Sequence, residues 1–417
     1  MSTRLTLDEA LERASTSSAR LASLSALTRA ASFGVRAAVA ARRPELDLSG
    51  SYSRNSNVPE LILASPGSAP RTIFPNLPNN WRTHMGATLP LYTGGRIESQ
   101  VTAATETERA TTFDRAAFDR DLTLETHVTY VNVLFARDNA LVLSEAVASY
   151  EAHLKDARNR QELGLSASNE VLAVTVERER AELLRVQAEN AAAIATANLL
   201  RLVDLPADTR LELEPPPEAS TVTVATFEGS PIGEALEDRP EITALRARIR
   251  AIEAGVEVAL SATRPQAGLQ AGFDYANPNP RILPLAGDWN DSWSIGISVN
   301  WKVLDGGRAG ARGAEARAQA DALRAQLKDL ESRIRLEVTT RQLEFESALA
   351  GKVVARRGIE AARDAVRIAR DRYKEGVLSS TELLDAETRL LRAELEATQT
   401  EAQIQVARAN LTRARGR

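Results

Sequence analysis

The most constraining feature of this chain is an internal duplication. Displacing the sequence by 212 residues aligns 81–205 with 293–417 without a gap. The matching landmarks are Trp81 with Trp293, Gly94-Gly95-Arg96 with Gly306-Gly307-Arg308, Gly164 with Gly376, and Glu170 with Glu382. Two diverged copies in one polypeptide predict a pseudo-symmetric fold, in which each half supplies the same succession of elements.

The prolines divide each copy into two kinds of segment. All 17 prolines lie within 44–90 or 206–284. Proline lacks a backbone hydrogen-bond donor and costs about 3 kcal/mol inside a helix. Long segments without proline, in a chain rich in alanine, arginine, glutamate and leucine, therefore predict long helices in 91–205 and 285–417.

Glycine marks the bend in each proline-free arm. Gly164 and Gly376 each follow a helical pattern long enough to span about 100 Å at 1.5 Å per residue. Glycine suits the left-handed position that ends a helix. We therefore expect two antiparallel helical hairpins, 96–203 and 308–415, whose tips lie near these two glycines.

The returning helices carry seven-residue repeats of mostly apolar residues. The two series are Val174, Ala181, Ala188, Ala195 and Leu202, and Leu383, Leu390, Ala397, Ile404 and Leu411. A period of seven over four heptads predicts coiled-coil packing. Ser379 and Glu382 have the spacing of a capping box, which predicts that the second returning helix begins beside them.

The proline-bearing segments alternate between apolar and polar residues. This alternation predicts two strand pairs, 44–55 with 83–93 and 265–276 with 293–303. In or beside these strands lie the four tryptophans, Trp81, Trp289, Trp293 and Trp301. Such strands suit an outer-membrane barrel with aromatic girdles, which several chains would have to share because lipid forbids open sheet edges. They suit equally well a pair of soluble hairpins that cover a helical bundle.

Together these patterns predict a mainly α fold with a β-barrel portion. The first structural repeat occupies 1–205 and the second occupies 230–417, each with a helix, a strand pair and a long antiparallel helical hairpin. A proline-rich linker is expected between them at 206–229.

Composition excludes several classes of function. The net charge is only −4, with both signs interspersed, so nothing indicates a nucleic-acid partner. Cysteine is absent, and His84, His127 and His153 have no metal-ligand spacing, so we expect neither a metal site nor another cofactor. Gly94-Gly95-Arg96 lacks the ending of a phosphate loop. We find no arrangement of residues for catalysis and expect no enzyme.

The sequence contains no segment of 18 apolar residues, and Met1–Thr6 lack the apolar core of a secretory signal. Taken alone, these features suggest a soluble cytosolic protein. A lost or mis-started signal would leave the same sequence.

The order of these features resembles the TolC-like outer-membrane efflux proteins, also called outer membrane factors. Leu5-Thr6-Leu7-Asp8-Glu9-Ala10-Leu11 resembles that family's opening helix. The Gly-Gly-Arg starts of the long helices, at 94–96 and 306–308, resemble its repeated barrel-to-helix junction. Residues 373–387 are similar to the tip of its second helical hairpin. The resemblance covers nearly the whole chain.

The resemblance implies a homotrimer that sits in outer-membrane lipid. Three chains would supply one 12-stranded barrel, continued by an α-helical tunnel in the periplasm. The implied partners are a periplasmic adaptor (membrane fusion) protein at the helical tips and an inner-membrane pump of the RND or ABC type. The strands and helices provide the parts for this assembly but do not themselves select three copies.

The resemblance also implies roles for residues at the tips. Glu382 and Asp385 match acidic positions that line the family's narrow periplasmic entrance, and Glu170 aligns with Glu382 in the repeat. A role in capping or a solvated helix face explains these carboxylates as well. Tyr373 matches a position that helps to connect neighbouring hairpins, although ordinary packing explains it equally.

Two further sets of residues are expected to serve the tip and the membrane junction. Adaptor contact and the tip turns are assigned to Gly164, Leu165, Gly376, Val377 and Leu378. Leu378 stands where some relatives carry arginine, so an arginine-based ionic contact at that position is not expected. The junction is assigned to Gly94, Gly95, Arg96, Gly306, Gly307 and Arg308, and the membrane interface to the four tryptophans.

The leading hypothesis is a passive exit duct in the outer membrane, gated at its periplasmic tips and serving a tripartite efflux or type I secretion system. The alternative is a soluble coiled-coil scaffold without a membrane span. The transported substrate and the class of pump leave no mark on the sequence.

Overall fold

The computed structural model describes residues 2–64, 66–67, 70–216 and 231–417. Of the linker expected at 206–229, residues 217–229 lie outside this described part. The chain forms two compact units. Unit 1 comprises Met1–Ala26, Thr112–Ala244 and Leu327–Arg417, and unit 2 comprises Leu27–Thr111 and Leu245–Gln326.

The helices repeat in length between the two halves. They are α1 (Leu7–Ser17), α2 (Ala19–Ala40), α3 (Arg96–Glu162), α4 (Ser168–Leu202), α5 (Pro231–Asp238), α6 (Pro240–Leu260), α7 (Arg308–Lys374) and α8 (Ser380–Ala414). Both outgoing helices, α3 and α7, have 67 residues, and both returning helices, α4 and α8, have 35 residues. Among the described residues, no helix is long and apolar enough to cross a membrane.

In the described part of the chain, the strands form three separate sheets. Their strands are β1 (Ser2–Leu5), β2 (Glu45–Arg54), β3 (Leu61–Leu63), β4 (Arg71–Phe74), β5 (Asn79–Tyr92), β6 (Arg210–Leu213), β7 (Gln266–Asn277) and β8 (Asn290–Asn300). The large sheet is antiparallel, with the order β2-β5-β7-β8. The β3–β4 hairpin lies between β2 and β5, where the sequence suggested only a loop.

The large sheet in unit 2 has one apolar face. Directly paired residues on antiparallel strands share a face, and the register pairs Leu48 with Met85, Met85 with Phe273, and Phe273 with Trp293. All four side chains are exposed, and Trp293 keeps 71% of its surface accessible. The alternation seen in the sequence therefore produces a row of exposed apolar side chains across all four strands.

The opposite face of the sheet is polar. Asp274 on β7 accepts a hydrogen bond from Nε of Arg82 at 2.6 Å and lies 2.8 Å from Nδ1 of His84, both on β5. Asp47 of β2 lies on the same face, where Gly86 makes room for it, since a Cβ on Gly86 would lie 2.4 Å from the Asp47 carboxylate. The two faces of the sheet thus differ completely in chemistry.

Unit 1 is held by clusters of apolar side chains between helices. In one cluster α3, α4 and α8 meet through Val147, Tyr150, Val174 and Leu384. In another, Phe345 of α7 packs with side chains of α8. The heptad positions fit this packing, because Val174, Ala181, Leu383, Ile404 and Leu411 are all buried.

A short parallel pair, β1–β6, joins the beginning of the chain to the segment after α4. Tyr130 of α3 fastens this pair. Its hydroxyl lies 2.8 Å from the carbonyl oxygen of Leu5 and 2.7 Å from that of Glu214, and it accepts a hydrogen bond from the Glu214 N–H at 3.0 Å. Tyr130 is fully buried, and its hydroxyl adds to the longer, 3.4 Å hydrogen bond that the Glu214 N–H donates to the Leu5 carbonyl.

We expect Tyr130→Phe to destabilise unit 1. The change keeps the ring but removes a buried hydroxyl and its hydrogen bonds to the backbone, which costs about 0.5–1.5 kcal/mol for each hydrogen bond lost. The measurement is the thermal midpoint of the purified protein, with Tyr92→Phe, at an exposed tyrosine, as the matched control. Equal midpoints for the two variants would contradict the bracing role of this hydroxyl.

Candidate functional site

Both hairpin tips are built by the same backbone turn. Gly164 and Gly376 have φ values of +72° and +75°, in the left-handed region that suits glycine. The following residues close the turn, since the Leu165 N–H donates to the Arg160 carbonyl at 2.8 Å and the Val377 N–H to the Arg372 carbonyl at 3.0 Å. These six-residue closures are Schellman motifs, which satisfy the last carbonyls of α3 and α7.

The returning helices begin differently in the two copies. Before α8, Ser379 and Glu382 form the expected capping box: the Glu382 carboxylate accepts from the Ser379 N–H at 3.0 Å, and Ser379 Oγ accepts from the Glu382 N–H at 3.3 Å. Before α4, Ala167 provides no side-chain cap. Glu170 instead accepts a hydrogen bond from the Ser166 hydroxyl at 2.9 Å.

The two tip carboxylates on α8 have different surroundings. The backbone hydrogen bond from Ser379, joined by that of its hydroxyl, lowers the pKa of Glu382 below its usual value. Glu382 therefore stays ionised near neutral pH while it caps the helix. Asp385 is exposed, and none of the described hydrogen bonds or ion pairs engages its carboxylate.

Tyr373 connects the two hairpins within the chain. Its side chain is buried, and the guanidinium of Arg160 lies 4.1 Å above the centre of its ring. The same guanidinium donates from Nη2 to the carbonyl oxygens of Tyr373 at 2.6 Å and Lys374 at 3.2 Å. Arg160 of α3 thus caps the C-terminus of α7, where a positive charge is favourable.

A buried histidine makes a second connection between the hairpins. His153 of α3 places Nδ1 2.9 Å from a Glu387 oxygen and Nε2 2.9 Å from Ser380 Oγ, both on α8. Only 1% of the His153 side chain and 5% of the Glu387 side chain are accessible. Because a carboxylate only accepts hydrogen bonds, Nδ1 donates to Glu387.

Two more residues complete this cluster. The second oxygen of Glu387 accepts from the Ser149 hydroxyl of α3 and from Arg370 Nη2 of α7, each at 3.2 Å. We call Ser149, His153, Arg370, Ser380 and Glu387 the tip network. It joins α3, α7 and α8, and because His153, Ser380 and Glu387 are buried, breaking it leaves buried polar groups unpaired.

The tip network does not have the properties of an enzyme site. Ser380, His153 and Glu387 are hydrogen-bonded in the order of a catalytic triad, in which serine is the nucleophile, histidine the base and an acidic residue orients the histidine. Ser380, however, is completely buried in the first turn of α8. Its hydroxyl meets helix side chains rather than solvent, so the arrangement fixes helices.

The tip network could not be predicted from the sequence, because its members are far apart along the chain. His153 and Glu387 are separated by 234 positions, and no local motif relates them. The type of residue at 153 indicates only a possible metal ligand, and among the described residues no group of ligands is placed to hold a metal ion. The position of Glu387 within the tip segment 373–387 was the only available signal.

The strand-to-helix junctions lie in unit 2 and match between the copies. All four junction glycines have positive φ, between +66° and +87°. Thr93 Oγ1 accepts from the Ile97 N–H at 3.3 Å, and at the equivalent position the Asp305 carboxylate accepts from the Ala309 N–H at 2.7 Å. Each long helix therefore begins with a side-chain cap that the preceding residues supply.

The remaining junction residues have local roles. Arg96 Nη1 donates to Gln100 Oε1 at 3.3 Å, whereas Arg308 is exposed. Arg264 Nη1 donates to the Gly94 carbonyl at 2.9 Å. The Arg264 side chain packs so closely against Gly94 that a Cβ added to Gly94 would lie 2.7 Å from the Cβ of Arg264. Gly94 is thus required for both its conformation and this contact.

The tryptophans lie along the sheet with aromatic or backbone partners. The ring centres of Trp81 and Tyr52 are 4.3 Å apart, and those of Trp289 and Tyr275 are 5.0 Å apart. Trp301 lies just beyond β8, where its Nε1 donates to the Thr263 carbonyl at 3.0 Å. Trp293 lies on the exposed apolar face.

The family model described as outer membrane efflux protein matches residues 10–203 and 232–417. The chain belongs to this family. The match includes both repeats, with their strand pairs and helical hairpins, and it confirms the resemblance to the TolC-like proteins. The alternative of a soluble coiled-coil scaffold is wrong, because the matched family consists of outer-membrane efflux proteins.

Two curated proteins are similar in sequence. Protein CyaE of Bordetella pertussis is 31% identical over 233 residues, which cover 55% of this chain and 48% of that protein. Outer membrane efflux protein BepC of Brucella suis is 26% identical over 328 residues, which cover 78% of this chain and 70% of that protein. The match to CyaE thus spans about half of that relative's length.

Solved structures show the same fold at low identity. The outer-membrane channel OprN has a TM-score of 0.82 at 22% identity, covering 98% of this chain and 89% of that chain. CusC has a TM-score of 0.85 at 18% identity, and the match covers 98% of this chain and 92% of the CusC chain. VceC of Vibrio cholerae has a TM-score of 0.81 at 20% identity, and the match covers 98% of this chain and 96% of the VceC chain. The predicted helical fold with a barrel portion is confirmed.

We expect Gly94→Ala to destabilise the junction. The new Cβ would be strained at φ +66° and would collide with Arg264, with an expected cost of about 1–3 kcal/mol. Gly310→Ala is the matched control, because this helical glycine has no atom within 4 Å of the added Cβ and gains about 0.5–1 kcal/mol of helix stability. Thermal midpoints of both variants test the difference, and a Gly94→Ala midpoint at or above the wild-type value would refute it.

Proposed function

We propose that three copies of this chain form an exit duct in the outer membrane that serves a tripartite efflux or type I secretion system. The observation that carries the proposal is the sheet of unit 2. It combines an exposed apolar face, a polar face and two edge strands, β2 and β8, that lack a second partner among the described residues.

The exposed face of this sheet suits lipid rather than water. Along one face of β8 lie Trp293, Ile295, Ile297 and Val299, which are apolar and exposed, and Ile297 keeps 68% of its surface accessible. Soluble proteins rarely expose continuous apolar areas of this kind. Strands of this length with aromatic residues at their ends match the dimensions of a transmembrane barrel.

The edges of the sheet explain why one copy is insufficient. In lipid, each unpaired backbone N–H or C=O costs several kcal/mol, so a spanning sheet must close on itself. Pairing β2 of one copy with β8 of the next would satisfy both edges. Three copies would then supply 12 strands, as the family resemblance implies, and the polar face with Arg82, His84 and Asp274 would line a water-filled interior.

The helical tips suit contact with a periplasmic adaptor. Leu165 and Val377 follow the tip glycines and are exposed, with Val377 keeping 73% of its surface accessible. Leu378 beside them is half-buried. Apolar side chains at the end of a long hairpin offer a surface for the adaptor, through which an inner-membrane pump of the RND or ABC type would deliver its cargo.

The tip network and the Arg160 contact would hold the duct closed. Both connect α3 of the first hairpin to the second hairpin within one copy. Opening would require the second hairpin to move away from α3, and this motion would break the buried contacts of His153 and Glu387. Glu382 and Asp385 would provide carboxylates at the entrance, where rings of negative charge favour cations.

We expect purified wild-type protein to form channels in planar bilayers and Glu387→Gln to raise their open probability. Losing about 1–3 kcal/mol of closed-state contacts corresponds to about a 5- to 150-fold shift in the closed–open equilibrium. Glu396→Gln is the matched control, because Glu396 is an exposed residue of the same helix.

Absence of wild-type channels would refute the duct itself. Wild-type channels with the same open probability in Glu387→Gln and Glu396→Gln would refute only the role of the tip network.

We expect the double variant Glu382→Gln, Asp385→Asn to reduce the cation preference of the channel severalfold. Glutamine retains the geometry of a capping box, so the change removes charge while the start of α8 is preserved. The reversal potential in a salt gradient measures the preference, and Glu396→Gln, at an exposed residue further along the same helix, is the control. An unchanged reversal potential would show that these carboxylates do not select cations, and that Glu382 only caps the helix while Asp385 is only a solvated surface residue.

A further inference from the structure

A cleft of about 380 Å³ lies in unit 1, apart from the tip network. Its walls come from the start of α1, the middle of α3, the segment Glu214–Pro216 and the last turns of α8. The tip network, the strand-to-helix junctions and the large sheet contribute none of its lining residues.

Arginine dominates the charged lining of the cleft. Its four guanidinium groups belong to Arg120, Arg408, Arg413 and Arg417. The acidic residues that line it are Asp8 and Glu214, and Glu214 forms an ion pair with Arg4. Arg120 donates to the Asp238 carbonyl, which carries no charge, and no described hydrogen bond or ion pair engages the Arg408 guanidinium.

The deepest of these arginines is incompletely paired. Arg413 is only 7% accessible, and its Nε donates to Asp121 at 2.7 Å while its Nη2 donates to Glu241. Its Nη1 is buried and has no hydrogen-bond partner among the described residues. A buried donor without an acceptor costs about 1–3 kcal/mol.

His127 also lines the cleft and carries a second unpaired nitrogen. Its Nε2 is buried and lacks a partner among the described residues. Burial, aided by the positive charge of Arg408, lowers the pKa of His127, so the ring is neutral near pH 7. A neutral ring that carries its proton on Nε2 is a hydrogen-bond donor.

We propose that this cleft binds a small anion through its phosphate or carboxylate oxygens. Such an anion would accept hydrogen bonds from the unpaired Arg413 Nη1 and His127 Nε2 and would balance the charge of Arg120 and Arg408. Guanidinium groups suit these oxygens because their planar donors match the geometry of both groups. The site belongs to unit 1 alone and is independent of whether the protein conducts ions.

The test is titration calorimetry on the full-length protein in detergent, with inorganic phosphate in one arm and citrate in the other. We expect saturable binding in at least one arm, and the arm that responds identifies the class of anion. Arg408→Gln should weaken that binding at least fivefold, since it removes a charge that no described residue compensates.

Arg389→Gln is the matched control, because Arg389 is exposed on the same helix outside the cleft. It should bind as the wild type does. Equal affinities in Arg408→Gln and Arg389→Gln would overturn the site, as would the absence of saturable heat in both arms. Sodium chloride at matched ionic strength must produce no binding isotherm, and an equal response to it would also overturn the site.

Discussion

The backbone hydrogen bonds at the two edges of the four-stranded sheet are the constraint on which the proposed assembly depends. Within the described chain, β2 and β8 each pair on one side only. Their apolar face suits lipid, yet lipid offers no hydrogen bonds to an open edge. A chain with these strands can therefore span a membrane only by sharing its sheet with other copies. The trimer of the proposed duct follows from that requirement together with the family resemblance.

The duplication gives the chain similar junctions and unequal tips. Thr93 and Asp305 occupy equivalent positions and both cap the long helix that follows. At the tips, Ser379 caps α8, whereas Ala167 cannot cap α4 in this way. The capped start of each long outgoing helix is thus kept in both copies, while the side-chain contacts at the tips have diverged.

Much of the fold was accessible from the sequence because it depends on local patterns. The absence of proline predicted α3, α4, α7 and α8, and alternation predicted the four strands of the large sheet. Glycine at 164 and 376 located the tips, since only the backbone conformation matters there. The β1–β6 pair and the tip network were missed because their partners are distant in sequence. Neither His153 nor Tyr130 carries a periodic or motif signal.

Disulfide cross-linking between neighbouring copies tests the shared sheet most directly, because the natural chain contains no cysteine. One cysteine would replace Ser51 on β2, and a second would replace Ser292, Ser294 or Ser298 on β8. A closed barrel of three copies predicts covalent products that end at the trimer for at least one pair. Monomer alone for every pair, or a ladder that continues beyond three chains, would contradict it.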